Sequence, residues 1–150
     1  MLLSNEIFIY SVSYMMPMKI ESHIENLKES FREIETAIKE GLEKKQRTVG
    51  FHTSSAAIDM LEIILHKNKL IDPGFVIKHE WLNSKNRINE KFPFEFIKKE
   101  EILSLISKIE EKRNSFCYGA PKQIDEIKEV IDNFNKLKEI FKEVGLDEFE

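Results

Sequence analysis

Arg113 and Asn114 stand at the end of one amphipathic pattern, and Phe116, Cys117, Tyr118, Gly119, Ala120 and Pro121 lead into the next. Going back from Arg113, the apolar residues Ile102, Ile106 and Ile109 recur at intervals of three and four, and going forward Phe116 falls in the same register. The arginine therefore occupies a core-facing slot. A guanidinium there must be paired, must reach solvent along its stem, or must line a cleft, because an uncompensated buried charge costs roughly 3–5 kcal/mol. One reading of Arg113 is a bundle-end ion pair with Glu110 or another carboxylate. Asn114 is suited to ending the helix or capping the turn. Tyr118 is read either as packing at the bundle end or as a hydrogen-bonding and stacking group.

Arg47 and His52 repeat the arginine-to-histidine theme with four residues between them. Five steps along a continuous helix rotate about 140°, so these two side chains diverge. His52 is instead weighed as a residue that helix packing could bring beside Arg113, against the plainer reading of a hydrogen-bonded core histidine. His66 reads as a partner for a helix carboxyl terminus. His23 and His79, the latter beside Glu80, lack metal-ligand spacing, so no metal site is expected. The pairs Glu100-Glu101 and Glu110-Glu111 are consecutive, which points their members apart on a helix. No glycine-rich phosphate loop, Gly-x-Ser-x-Gly elbow or His-Glu-x-x-His pattern occurs. Lys98, Lys99 and the stretch 85–91 make one region locally basic, a candidate for backbone phosphate contact.

The elements that must hold these residues are helices. Ile20, Ile24, Leu27, Phe31, Ile34, Ile38 and Leu42 form one stripe, which predicts a first helix of about six to seven turns from Lys19 onward. From Gln46 to His66 the chain is apolar on nearly all sides, the mark of a helix in the middle of a bundle. Residues 68–96 are irregular: Asp72-Pro73-Gly74 signals a turn and Phe92-Pro93-Phe94 a break, with short helical pieces expected around Val76 to Leu82. A third helix is predicted from Ile97 to Phe116. A fourth is predicted from Pro121 to Val144, with Pro121 in its first turn and Gly145 as its carboxyl-terminal cap. The expected fold is all-α, an antiparallel four-helix up-and-down bundle with an irregular segment between helices 2 and 3.

Composition sets the outer bounds. With 150 residues and 41% hydrophobic content, the chain can bury one core. Its 27 acidic and 23 basic residues leave a net charge of -4, so any nucleic-acid contact needs a local basic patch. One cysteine, Cys117, excludes an intrachain disulfide and reads as an inert small hydrophobe. The abundance of Lys, Glu and Ile suits a thermophile or an AT-rich genome. Residues 1–18 are apolar and β-prone with no basic residue, too short for a membrane span and unlike a signal peptide. They are expected to be a loosely docked arm or a stretch ahead of the natural start, leaving residues 19–150 as one domain with a cytoplasmic address.

A long first helix, an apolar second, an irregular segment, a helix ending in Glu110-Glu111-Lys112-Arg113-Asn114 and a return helix near Gly119 together resemble the HEPN superfamily. The resemblance covers about residues 19–145. In that family the motif is Arg, often with Asn next, and then His after four to six positions. Here Arg113 and Asn114 match, while Tyr118 stands where His is expected and no histidine follows it. RNA cleavage through the ribose hydroxyl wants a proton acceptor that is neutral near pH 7, which suits imidazole better than a phenol with its ordinary pKa of about 10.

The resemblance implies a homodimer whose Arg-containing helices meet in a shared cleft; from the residues themselves, no cofactor and no membrane contact are expected. It implies RNA or nucleotide as ligand, and a nucleotidyltransferase antitoxin as partner. The leading expectation is a catalytically degenerate RNA- or nucleotide-interacting module in which Arg113 meets phosphate, Asn114 orients it and Tyr118 stacks or hydrogen-bonds. The alternatives are a metal-independent ribonuclease toxin using Arg113 with His52, and a purely structural or partner-binding bundle.

Overall fold

A computed structural model describes residues 2–146, with side chains described from Ile20 onward. Five α-helices follow one another: α1 (Leu2–Glu40), α2 (Gln46–Lys67), α3 (Lys85–Lys91), α4 (Lys99–Tyr118) and α5 (Ile124–Glu143). Short 3-10 turns occupy Leu42–Lys44 and His79–Asn83. The described residues contain no strand. The fold is all-α as expected, but the helix count is five where the sequence predicts four. The additional helix, α3, lies inside the irregular segment, where the Ser84 hydroxyl caps its first turn by accepting from the Arg87 amide at 3.5 Å. The backbone of the apolar amino-terminal stretch continues α1, and the side chains of the expected arm at 1–18 lie outside the described residues.

Helix α2 is the centre of the molecule. Val49, Ala56, Ala57, Leu61, Ile63 and Leu65 are fully buried on its several faces, and α1, α4 and α5 all pack against it. Each large aliphatic side chain buried this way contributes about 1.5–3 kcal/mol. The cross-links fix the directions. His23 with Asp59 and Ser30 with His52 run α1 against α2, Ser54 with Glu110 and Gln46 with the Phe116 carbonyl run α2 against α4, and Lys112 with Glu126 and Lys98 with Glu143 run α4 against α5. These neighbours are antiparallel.

Two local devices set the end of the molecule near the arginine. Gly50 lets α2 approach α4 so closely that a Cβ there would lie 2.6 Å from the Phe116 Cβ. Gln46 clasps the α4–α5 connection: its Nε2 donates to the carbonyls of Phe116 and Ala120, each at 3.2 Å, and its Oε1 accepts from the Lys122 amide at 2.6 Å. Pro121 accordingly lies outside α5, which begins at Ile124, because the clasp satisfies backbone groups that a helical turn would otherwise use. The far end of α5 behaves as the sequence predicts. Gly145 takes φ +107 while its amide donates to the Lys142 carbonyl and the Leu146 amide to the Phe141 carbonyl, a Schellman closure that buries Leu146.

No helix among the described residues is long and apolar enough to cross a membrane.

Candidate functional site

On α4 the stripe of Ile102, Ile106, Ile109 and Phe116 is fully buried, and Arg113 shares its face. The arginine is half-buried, and its Nε is enclosed without a hydrogen-bond partner among the described residues. An enclosed donor left unpaired costs about 1–3 kcal/mol, more when charged. Glu110 stands one turn earlier on the same helix with a side chain 2% exposed, yet it does not neutralise the arginine. Its Oε1 accepts from the Ser54 hydroxyl of α2 at 2.5 Å and lies 2.6 Å from His79 Nδ1, which the 3-10 turn His79–Asn83 brings over from the irregular segment. An ionised carboxylate only accepts, so in this pairing the proton sits on His79 Nδ1. His79 Nε2 is left without a protein partner among the described residues.

These groups share an open cleft of about 420 Å³ whose walls include Lys78, His79, Asn83, Glu110, Arg113 and Asn114. Two cations, two side-chain amides and a histidine held in one orientation can bind an anion and move a proton beside it. The carboxylate most enclosed in the wall, Glu110, is already committed to His79 and Ser54. Glu80 also lines the cleft and limits its positive charge.

The sequence-predicted residues divide. Asn114 lines the cleft beside Arg113. Tyr118, the last residue of α4, is 80% exposed and takes no part in the cleft wall; five helical positions turn it about 140° away from Arg113. An Arg113–Glu110 ion pair does not form among the described residues. Arg47 and His52 share α2, as their spacing requires. His52 does not join Arg113. Its Nδ1 lies 3.0 Å from the Ser30 hydroxyl, its ring stands edge-on to Phe51 at 5.0 Å, and burial holds its pKa below the ordinary value against the opposing charges of Glu33 and Glu29.

His52 faces a second cleft, of about 340 Å³, walled by Asn26, Glu29, Phe51, Ser55 and Asp59 among others. His79 lines this cleft as well as the first, so one imidazole divides two adjoining hollows. The sequence does not single out His79 for this role because its spacing to every other candidate is uninformative; Glu110 is 31 residues away. The available signal is the length of the irregular segment, which has to carry an extra helix or a binding surface.

A third polar cluster ties α1 to α2. His23 Nδ1 lies 2.7 Å from Asp59, its Nε2 pairs with Glu62, and Glu62 also accepts from the Ile77 amide at 2.8 Å. Burial alone would lower the His23 pKa, but the hydrogen bonds and charges of Asp59 and Glu62 outweigh it and raise it to about 9. Burial raises the Asp59 carboxyl, with His23 pulling the other way. His66 stacks on His23 at 6.5 Å, in the last turn of α2. Among the described residues no group of three or more His, Cys, Asp or Glu could hold a metal ion.

No family model, curated protein or solved structure matches this chain.

Proposed function

We propose that the chain is an HEPN-like domain, its four long helices forming an antiparallel bundle, that binds RNA or a nucleotide with the phosphate seated at Arg113. The observation that carries this reading is Arg113 itself, a half-buried guanidinium that lines a polar cleft without an ion-pair partner among the described residues. A phosphate in the cleft supplies the counter-charge that no carboxylate provides through an ion pair, and guanidinium is the side chain best shaped for it. Asn114 and Lys78 line the same cleft and would orient and neutralise the remaining oxygens. Homodimerisation through the Arg-bearing helices, and pairing with a nucleotidyltransferase antitoxin, belong to the same proposal.

Arg113→Ala is expected to weaken binding of a short single-stranded RNA at least ten-fold, measured by fluorescence anisotropy at fixed salt, with little change in thermal stability. Unchanged RNA binding together with a lowered Tm would establish the purely structural reading in its place.

The His79–Glu110 pair supports a second reading, metal-independent cleavage of RNA. His79, and not His52, then supplies the missing histidine. In that step His79 Nε2 takes the proton of the ribose 2′ hydroxyl, the 2′ oxygen forms a bond to phosphorus, and the 5′ oxygen leaves and takes up a proton from water. Arg113 holds the charge that develops on the phosphoryl oxygens. His79→Ala should reduce cleavage in the presence of a chelator by about 100-fold or more while RNA binding persists. Cleavage at the wild-type rate in that variant removes the reading.

A further inference from the structure

We infer that the cleft walled by Phe51 and His52 is a nucleobase subsite that adjoins the Arg113 cleft, so that one nucleotide spans both with its base against Phe51 and its phosphate at Arg113. The inference deepens, and rests on, the phosphate reading of Arg113. Its own warrant is the chemistry of the second hollow. Phe51 is 46% exposed on α2 although that helix is otherwise buried along most of its length. Such a ring offers a stacking face, and stacking accepts any base because every base has a π surface. Behind it the His52 ring is fixed by Ser30 and by its edge-on packing against Phe51, which holds the aromatic wall in place.

The charges of the two hollows decide which end of a nucleotide goes where. In the first, Lys78 and Arg113 offset the carboxylates Glu80 and Glu110, whereas the second has Glu29 and Asp59 in its wall and no lysine or arginine. Phosphate is repelled from the second and drawn to the first. Carboxylate, amide and hydroxyl groups at Glu29, Asn26 and Ser55 suit the amino and imino donors on the edge of a base. Their acceptor-rich character favours guanine, whose adjacent imino and amino groups match a carboxylate, over uracil. The hollow's volume of about 340 Å³ lies in the range of small-ligand sites. The shared His79 sets the sugar between the two.

Isothermal titration of the full chain with GMP, UMP, ribose 5-phosphate and inorganic phosphate tests this, with Arg113→Ala, Phe51→Ser and Phe51→Tyr as variants. GMP should bind about ten-fold or more tightly than ribose 5-phosphate, with UMP between them. Phe51→Ser should erase the advantage of GMP while leaving ribose 5-phosphate affinity unchanged, and Phe51→Tyr should restore it. Arg113→Ala should weaken all four ligands. Equal affinity for GMP and ribose 5-phosphate, or a GMP advantage that survives Phe51→Ser, overturns the base subsite while leaving phosphate binding standing. Failure of inorganic phosphate and ribose 5-phosphate to respond to Arg113→Ala overturns the phosphate reading and the subsite with it.

Discussion

Glu110 organises the site by what it refuses. On one helix face, three positions from Arg113, it would be the natural counter-ion, yet Ser54 and His79 occupy its Oε1 and the guanidinium keeps its enclosed Nε unsatisfied. Replacing this carboxylate should therefore be felt first at His79 and Ser54. Glu110→Ala is expected to lower stability by about 1–3 kcal/mol, because it removes the acceptor that the fully buried Ser54 hydroxyl and the part-buried His79 share. It should also release the His79 ring, seen as a change in its NMR tautomer signature; an unchanged ring environment would mean that Glu110 does not hold it. Arg113 is legible in sequence because a helical register makes one cation among isoleucines conspicuous. His79 is not legible, since a 3-10 turn has no long period. Its partners, Ser54 and Glu110, come from two other elements, so only packing creates the group. Tyr118 misleads for the complementary reason: motif spacing places it near Arg113 along the chain, while helix rotation turns it toward solvent.

At the scale of elements, the approach of α2 to α4 is governed by one missing side chain. A methyl group at Gly50 would meet the Phe116 Cβ at 2.6 Å, and Phe116 is fully buried, so the ring has nowhere to retreat. Although alanine favours a helix over glycine by up to about 1 kcal/mol, the clash outweighs it. Gly50→Ala should destabilise the fold by about 1–3 kcal/mol in urea unfolding; a stabilised variant would show that the helices are free to separate. The hydrophobic stripes of α1, α4 and α5 make those helices readable, and the all-round apolar character of α2 makes its central position readable too. The start of α5 is not readable because proline preference is local, whereas the Gln46 clasp that keeps Pro121 out of the helix joins residues 76 apart in sequence. Helix α3 does not stand out as a separate element because its seven residues are too short to display a stripe.

At the scale of the whole molecule, two histidines on the α1–α2 seam give folding stability opposite dependences on pH. The His23 pKa rises on folding from the ordinary 6.5 to about 9, so the protonated ring favours the folded state. Its contribution is fully present below about pH 6.5 and is lost as pH rises through about 9. A tenfold change in proton affinity is worth about 1.4 kcal/mol, but burial raises the Asp59 carboxyl and offsets part of the gain. A loss of about 1–3 kcal/mol between pH 6.5 and 9 is expected. His52 acts at the other flank: burial lowers its pKa, so its contribution is present above 6.5 and is lost as pH falls. Urea unfolding at a series of pH values should therefore show stability declining on the alkaline side well before any lysine titrates. In His23→Gln the alkaline decline should vanish, and the protein should be less stable at pH 6.5 by about 3–5 kcal/mol, because Asp59 and Glu62 lose the cation between them. A variant that keeps the wild-type alkaline slope would show that the seam is not held by a charged His23, and the pH dependence would have to come from elsewhere in the fold.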